Sequence, residues 1–297
     1  MKKTFLFLIA ALSFLLSGQA AEKAKHVVLI GLDGWGAYSV SKAEIPNIRK
    51  MMNEGCYTLK KRSALPSSSA INWASMFMGA GPELHGYTQW GSKVPELPSR
   101  EVTENGIFPT IFYLLHKARP EAEIGCLYEW EGIKYLVDTL ALDYHVQAPD
   151  YNKHPEALCG MAEKYIKEKT PVLLAVCFDN PDHMGHAAGH DTPEYYAKLN
   201  ELDTYVARIV QAVKDAGMFD NTIFIITADH GGINKGHGGK TMQEMETPFI
   251  ICGKNVKKGG EFSESMMQYD VASTIAYIFG LKQPQVWIGR PMKQVFK

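Results

Sequence analysis

Five runs of apolar residues dominate the pattern of this chain, and several stop at an Asp. They are "HVVLIGLD" (26–33), "EIGCLY" (123–128), "PVLLAVCFDN" (171–180), "TIFIITAD" (222–229) and "TPFIICG" (247–253). Between them lie segments with helical punctuation: 45–55 with Pro46 near its start and Gly55 at its end, 68–81 behind three serines, 109–120, 155–169, 192–217 between Thr192-Pro193 and Gly217, and 269–280. Buried-type strands alternating with amphipathic helices predict a mostly parallel central sheet covered on both faces, an α/β three-layer sandwich. The polar, Pro-containing segment 87–108 reads as a long surface loop.

In such sheets ligands sit beyond the carboxyl ends of the strands. Asp33 falls there, as do Asp179 and Asp182, and Asp229 with His230. Three clusters result. Asp33 precedes Gly34 at a tight turn. "DNPDHMGHAAGH" (179–190) sets Asp182 and His186 four residues apart, one helical turn. "TADHGGINKGHGG" (227–239) sets His237 seven residues after His230, on a glycine-rich loop. Singly, these are turn, cap or surface residues. Delivered together to one sheet edge, carboxylates and imidazoles make a set of divalent-metal ligands. Six of them suit two ions, which about 4 Å apart hold the attacking and leaving oxygens of a displacement at phosphorus. The serines at 67–69 stand at a helix start, where free N–H groups favour a phosphoryl oxygen; without metals they would read as simple caps.

The rest of the composition excludes other classes. The formal charge is −1 over 297 residues, which gives no basic face for specific nucleic-acid binding. Residues 1–20 read as a secretory signal peptide: "MKK", a short apolar run, then "SGQA". The run is too short for a convincing membrane span and no Cys follows it for lipidation, so no membrane anchor is expected after cleavage and the protein is expected in a bacterial periplasm or outside the cell. Residues 21–297 read as one catalytic domain. Five scattered cysteines without a CxxC pair argue against a structural zinc knuckle.

With these residues in view, the chain resembles the alkaline phosphatase superfamily, and within it the type I phosphodiesterase/nucleotide pyrophosphatase group, from "VVLIGLDG" to "IGRPM". Asp33-Gly34 matches the Asp-Gly after the first strand. Pro66, Ser69, Asn72, Gly79, His85 and Gly86 match the nucleophile segment. Pro181, Asp182, Gly185 and His186 match Pro-Asp-x-x-Gly-His, and Asp229, His230 and Gly231 match Asp-His-Gly, with His237 as the last ligand. The resemblance implies an alkaline-phosphatase-like fold and two divalent ions, zinc. Asp182, His186 and His237 would hold one ion; Asp33, Ser69, Asp229 and His230 the other. Ser69 would be the nucleophile of a covalent phosphoryl-serine, and the Asn72 amide would hold a phosphoryl oxygen. Ile71 and Trp73 depart from the family's Pro and His.

The reading that follows is an exported hydrolase of phosphodiester or pyrophosphate bonds in a small phosphorylated or nucleotide substrate. A phosphomonoesterase and a phosphate-group transferase are the alternatives. Sulfatases of this superfamily carry Pro two residues and Arg four residues after the nucleophile; Ile71 and Trp73 stand there instead. A binding protein of this fold would be expected to lose ligands that are present here. Trp90, Tyr128, Trp130 and His190 are candidate substrate contacts, the aromatics as a slot for a nucleobase.

Overall fold

A computed structural model describes residues 22–297, so the expected leader lies outside the described residues. In chain order the elements are β1 (His26–Leu32), α1 (Pro46–Glu54), β2 (Cys56–Arg62), α2 (Ser69–Met78), α3 (Pro82–His85), α4 (Ile111–Ala118), β3 (Ile124–Tyr128), β4 (Tyr144–Gln147), α5 (Ala157–Lys169), β5 (Leu173–Phe178), α6 (Asp182–Ala188), α7 (Pro193–Asp215), β6 (Thr222–Thr227), α8 (Met242–Met245), β7 (Glu246–Gly253), β8 (Gly260–Glu261) and α9 (Asp270–Ile278). The strands form one sheet in the order β4-β3-β5-β1-β6-β7-β2-β8. From β4 to β6 every pairing is parallel, while β7 runs antiparallel to both β6 and β2.

The continuous apolar runs follow from burial on both faces, because successive side chains point to opposite sides. Val28, Ile30, Val176 and Phe224 enter a core with α1, α5 and α7. Their neighbours Leu29, Ala175, Cys177 and Ile225 enter a second core with Trp73, Phe77, Phe112 and Ile275 of α2, α4 and α9. The expected three layers are present. The helix ends obey local chemistry: the Thr192 side chain accepts from Tyr195 N at the start of α7, with Pro193 in the first turn.

Three strands escaped the sequence reading, among them the two-residue β8. β2 carries Lys60, Lys61 and Arg62, which hide its alternation, and its register against β7 shifts between Thr58 and Lys61. β4 is a largely exposed edge strand without an apolar run. Segment 87–108 contains no helix or strand, as expected. All five cysteines are buried and unpaired among the described residues. No described helix is long and apolar enough to cross a membrane.

Candidate metal centre

β1, β5 and β6 lie side by side, with Leu32 opposite Phe178 and Gly31 opposite Thr227. That register carries Asp33, Asp179 and Asp229 to one edge of the sheet. Gly34 makes the turn after β1 with φ +67°, and a Cβ there would stand 2.5 Å from Asp182 Cβ. The close approach lets Asp182 N donate to Asp33 O at 3.0 Å and Gly34 N donate to Asp229 Oδ1 at 3.1 Å.

The side chains then converge. His230 Nδ1 lies 2.7 Å from Gly231 O. A carbonyl only accepts, so Nδ1 carries the proton and Nε2 faces inward as a lone pair. That atom is 3.1 Å from Ser69 Oγ, 3.2 Å from Asp229 Oδ2 and 3.4 Å from Asp33 Oδ1. Neither of those two carboxylate oxygens has a hydrogen-bond partner among the described residues, although both are buried. His237 Nδ1 faces Ser67 O at 3.1 Å, and His186 Nδ1 faces Lys235 O at 2.9 Å, so each of these rings also presents Nε2. Asp182 Oδ2 is 3.0 Å from His186 Nε2 and 3.7 Å from His237 Nε2. Two groups have ligand atoms close enough to hold an ion: Asp182, His186 and His237, and Asp33, Asp182 and His230.

The electrostatics show what is missing. Burial, then the neighbouring Asp229 and Asp182 carboxylates, push the Asp33 carboxyl well above its usual range. Burial lifts Asp229 to about 7. Burial lowers His230, and burial with the adjacent His230 takes His237 down to about 4. The hydrogen bond to Asp182 raises His186 to about 9. Around His230, the donor-free oxygens Asp33 Oδ1 and Asp229 Oδ2 face a neutral imidazole lone pair in an acceptor-only cluster, while His186 keeps a proton for Asp182. The donor set fits divalent cations: oxygen and nitrogen ligands, with orphaned lone pairs aimed at a common centre.

Other expected site residues fall elsewhere. Asn72 is fully buried, and its amide is spent on the preceding loop: Nδ2 donates to Ala64 O, Pro66 O and Ser68 O, while Oδ1 accepts from Ala64 N. It braces the loop before Ser69. Tyr128 belongs to the core beside α2 and α4, since it ends a strand buried on both faces. Trp130 is half-buried against the same core, over Gly132. The His190 side chain is fully buried behind Asp182, so it does not line a substrate surface. Trp90 alone of the four is open, 68 % exposed, and its carbonyl accepts from Ala70 N in the first turn of α2.

The sequence reading missed two supports. Trp73 Nε1 donates to Asp33 Oδ2 at 2.9 Å. The signal was Gly31 in the middle of an apolar strand, where a Cβ would stand 2.2 Å from the Trp73 ring. Lys61 is fully buried; its ammonium donates to Ala228 O at 2.7 Å and to Gln268 Oε1. Gln268 Nε2 in turn donates to Asn72 O and Ala228 O, each at 3.2 Å. This network ties the backbone before Asp229 to the helix that carries Ser69. Burial draws the Lys61 amine down to about 7.

Comparison with known proteins agrees with this architecture. The family model for type I phosphodiesterase/nucleotide pyrophosphatase matches residues 27–240. A GPI ethanolamine phosphate transferase 3 of Schizosaccharomyces pombe is 27 % identical over 169 residues, which are 54 % of this chain and 18 % of the transferase. A bis(5′-adenosyl)-triphosphatase of Mus musculus is 23 % identical over 220 residues, 70 % of this chain and 47 % of that protein. The match thus spans less than half the length of either relative. Among solved structures, an inactive murine ectonucleotide pyrophosphatase/phosphodiesterase 5 in complex with AMP superposes with TM-score 0.73 at 14 % identity, covering 92 % of this chain and 100 % of that one. A 2-O GAG sulfatase gives 0.72 at 16 %, covering 92 % and 74 %. At such identities the structural likeness establishes the fold. With the match running through every ligand cluster, this chain belongs to the type I phosphodiesterase/nucleotide pyrophosphatase family of the alkaline phosphatase superfamily.

Proposed function

We propose that this protein is an exported, metal-dependent hydrolase that cleaves phosphodiester or pyrophosphate bonds in a small nucleotide-like substrate through a phosphoryl-serine. The observation that carries the reading is Ser69 Oγ at the start of α2, 3.1 Å from His230 Nε2 and beside two partnerless carboxylate oxygens. Asp182, His186 and His237 would hold one divalent ion; Asp33, Asp229, His230 and Ser69 would hold the other. Such ions, zinc by the family resemblance, would supply Lewis-acid polarisation of the phosphoryl group and neutralise its charge.

The chain's own groups do the rest. Ser69 Oγ would attack phosphorus, a new O–P bond forming as the bond to the leaving oxygen breaks in line and the hydroxyl proton ends on that leaving oxygen. Water then attacks the phosphoryl-serine and returns Ser69 with its proton. The first turn of α2 points its amides at the same place, but Ala70 N is already given to Trp90 O. Asn72 and the Lys61–Gln268 pair hold the loop and helix in position. Trp90 offers an exposed aromatic face at the mouth for the leaving group or base.

The resemblance to ethanolamine phosphate transferases supports a second reading, in which an alcohol replaces water in the second step. Zinc-loaded protein should be assayed with p-nitrophenyl phosphate and with the p-nitrophenyl ester of thymidine 5′-monophosphate, with and without an added alcohol acceptor. The reading expects preference for the diester, with Ser69→Ala and chelated protein at least about a thousandfold slower. Preference for the monoester would make the protein a phosphatase, and product appearing chiefly on the alcohol would make it a transferase.

A further inference from the structure

Asp182 is the one residue common to both candidate ion groups. Its Oδ2 serves His186 and His237; its Oδ1 is 3.2 Å from Nε2 of His190. His190 is not on a path to solvent. Its ring sits between Gly185 of α6 and Gly232 of the loop after β6, where an added Cβ would stand 2.3 and 2.2 Å from His190 Nε2. Gly185 belongs to the Asp182–His186 motif, and Gly232 directly follows the Asp229-His230-Gly231 motif. Both are small where this ring passes. On the far side, Nδ1 faces Asn234 O at 3.2 Å, and the His190 backbone N donates to the same carbonyl at 2.6 Å. Tyr195 packs beside the ring at 5.5 Å between centroids.

Both ring nitrogens therefore face acceptors. A neutral imidazole has one N–H, and a carboxylate accepts more strongly than an amide carbonyl already served by a backbone donor. The Nε2–H tautomer satisfies Asp182.

We propose that His190 is a positioning residue that donates from Nε2 to Asp182 Oδ1 and fixes the orientation of that carboxylate toward the ion site it forms with His186 and His237. The proposal rests on the metal reading above. Hydrogen-bonded partners of ligating carboxylates orient them, and their loss typically costs about 10- to 100-fold in metal affinity. His190 would then hold Asp182 Oδ2 toward His186 and His237, without touching substrate.

The test uses the geometry of the amides. A Gln side chain can place its N–H near the imidazole Nε2, whereas Asn places one near Nδ1. Full-length wild type, His190→Gln and His190→Asn are titrated with cobalt(II) at fixed pH and followed by visible absorption, with metal content measured in parallel. The expected result is a wild-type-like spectrum and affinity within about threefold for His190→Gln, and about 10- to 100-fold weaker binding with an altered spectrum for His190→Asn. The reverse order would assign His190 to the Asn234 loop contact and overturn the proposal. So would equal, unchanged binding in both. Should both amides fail to fold, Gly232→Ala displaces the ring without removing it; unchanged cobalt affinity there also overturns the proposal. A wild type that takes up no cobalt overturns the metal reading itself, and the proposal with it.

Discussion

The two halves of the centre are built differently. Asp33, Asp229 and His230 are sealed at the ends of two neighbouring parallel strands, and their positions follow from the ladder. Asp182, His186 and His237 sit on a short helix and a glycine-rich loop, with the His186 side chain about half exposed. The inner half has orphaned oxygens, and among the described residues no Lys or Arg forms an ion pair with them. The outer half satisfies itself: burial alone would raise Asp182, but His186 and His190 hold its carboxyl well below the usual range. The inner half depends on a cation for its electrostatic balance, while the outer half can stand as an ion pair. Adjacent strands give rigidity; helix and loop give access.

The sharpest way to break this comparison is to remove one ligand from each half. Asp229→Asn is expected to lower kcat/KM by about a hundredfold to a thousandfold, and His186→Asn by about tenfold, since a metal's charge stabilisation is worth several kcal/mol and the exposed ligand can be replaced by water. Steady-state kinetics on metal-loaded variants checks this; a larger loss for His186→Asn would invert the account.

Asn72→Ala comes next. Its amide bridges four backbone groups of the loop before Ser69, so its loss should cost about 1–3 kcal/mol of stability in a denaturant titration. The same variant with intact stability and a collapsed kcat would return Asn72 to the phosphoryl oxygen.

A third test uses pH. The Asp229 carboxyl is at about 7 in the folded chain against an ordinary value of 3.8, and Asp33 shifts the same way. The folded metal-free chain therefore holds protons that the unfolded chain has released. The stability this gives is complete below about pH 4 and is lost as pH rises through about 7. The melting temperature of chelated wild type, taken as its difference from Asp229→Asn, should fall across that window; the lowered His230 and His237 act in the opposite sense in both chains and drop out of the difference. A rise would show that the inner half does not bury uncompensated carboxylates.

The smallest effect is expected at the rim. Trp90→Ala should raise KM for a nucleotide diester roughly fivefold, about 1 kcal/mol of aromatic contact, with little change in kcat.

The inner half was the legible one. Asp33, Asp229 and His230 follow apolar runs, and a run that ends in a carboxylate marks a strand end directly. Asp182 and His186 were legible as one turn of helix. What stayed hidden depends on contacts distant in sequence. Trp73 looked like a departure from a motif, yet its indole holds Asp33. Lys61 drew no reading from the sequence, because the register shift beside it leaves no trace in composition. Asn72 matched its motif, but the motif cannot say which way the amide points. Tyr128 and His190 carry the right chemistry for ligands and are packed away from solvent. Residue type and spacing locate a site along a strand; they do not tell a wall from its support.

The most direct test of the centre is its metal content. Purified wild type, Asp182→Asn and Asp229→Asn would be loaded with zinc, dialysed and analysed for bound ions per chain. Two ions in wild type and about one in either variant is the expected result. A wild-type chain that folds and retains no zinc, or a variant that keeps two ions, would contradict a two-cation centre with one of these carboxylates in each half.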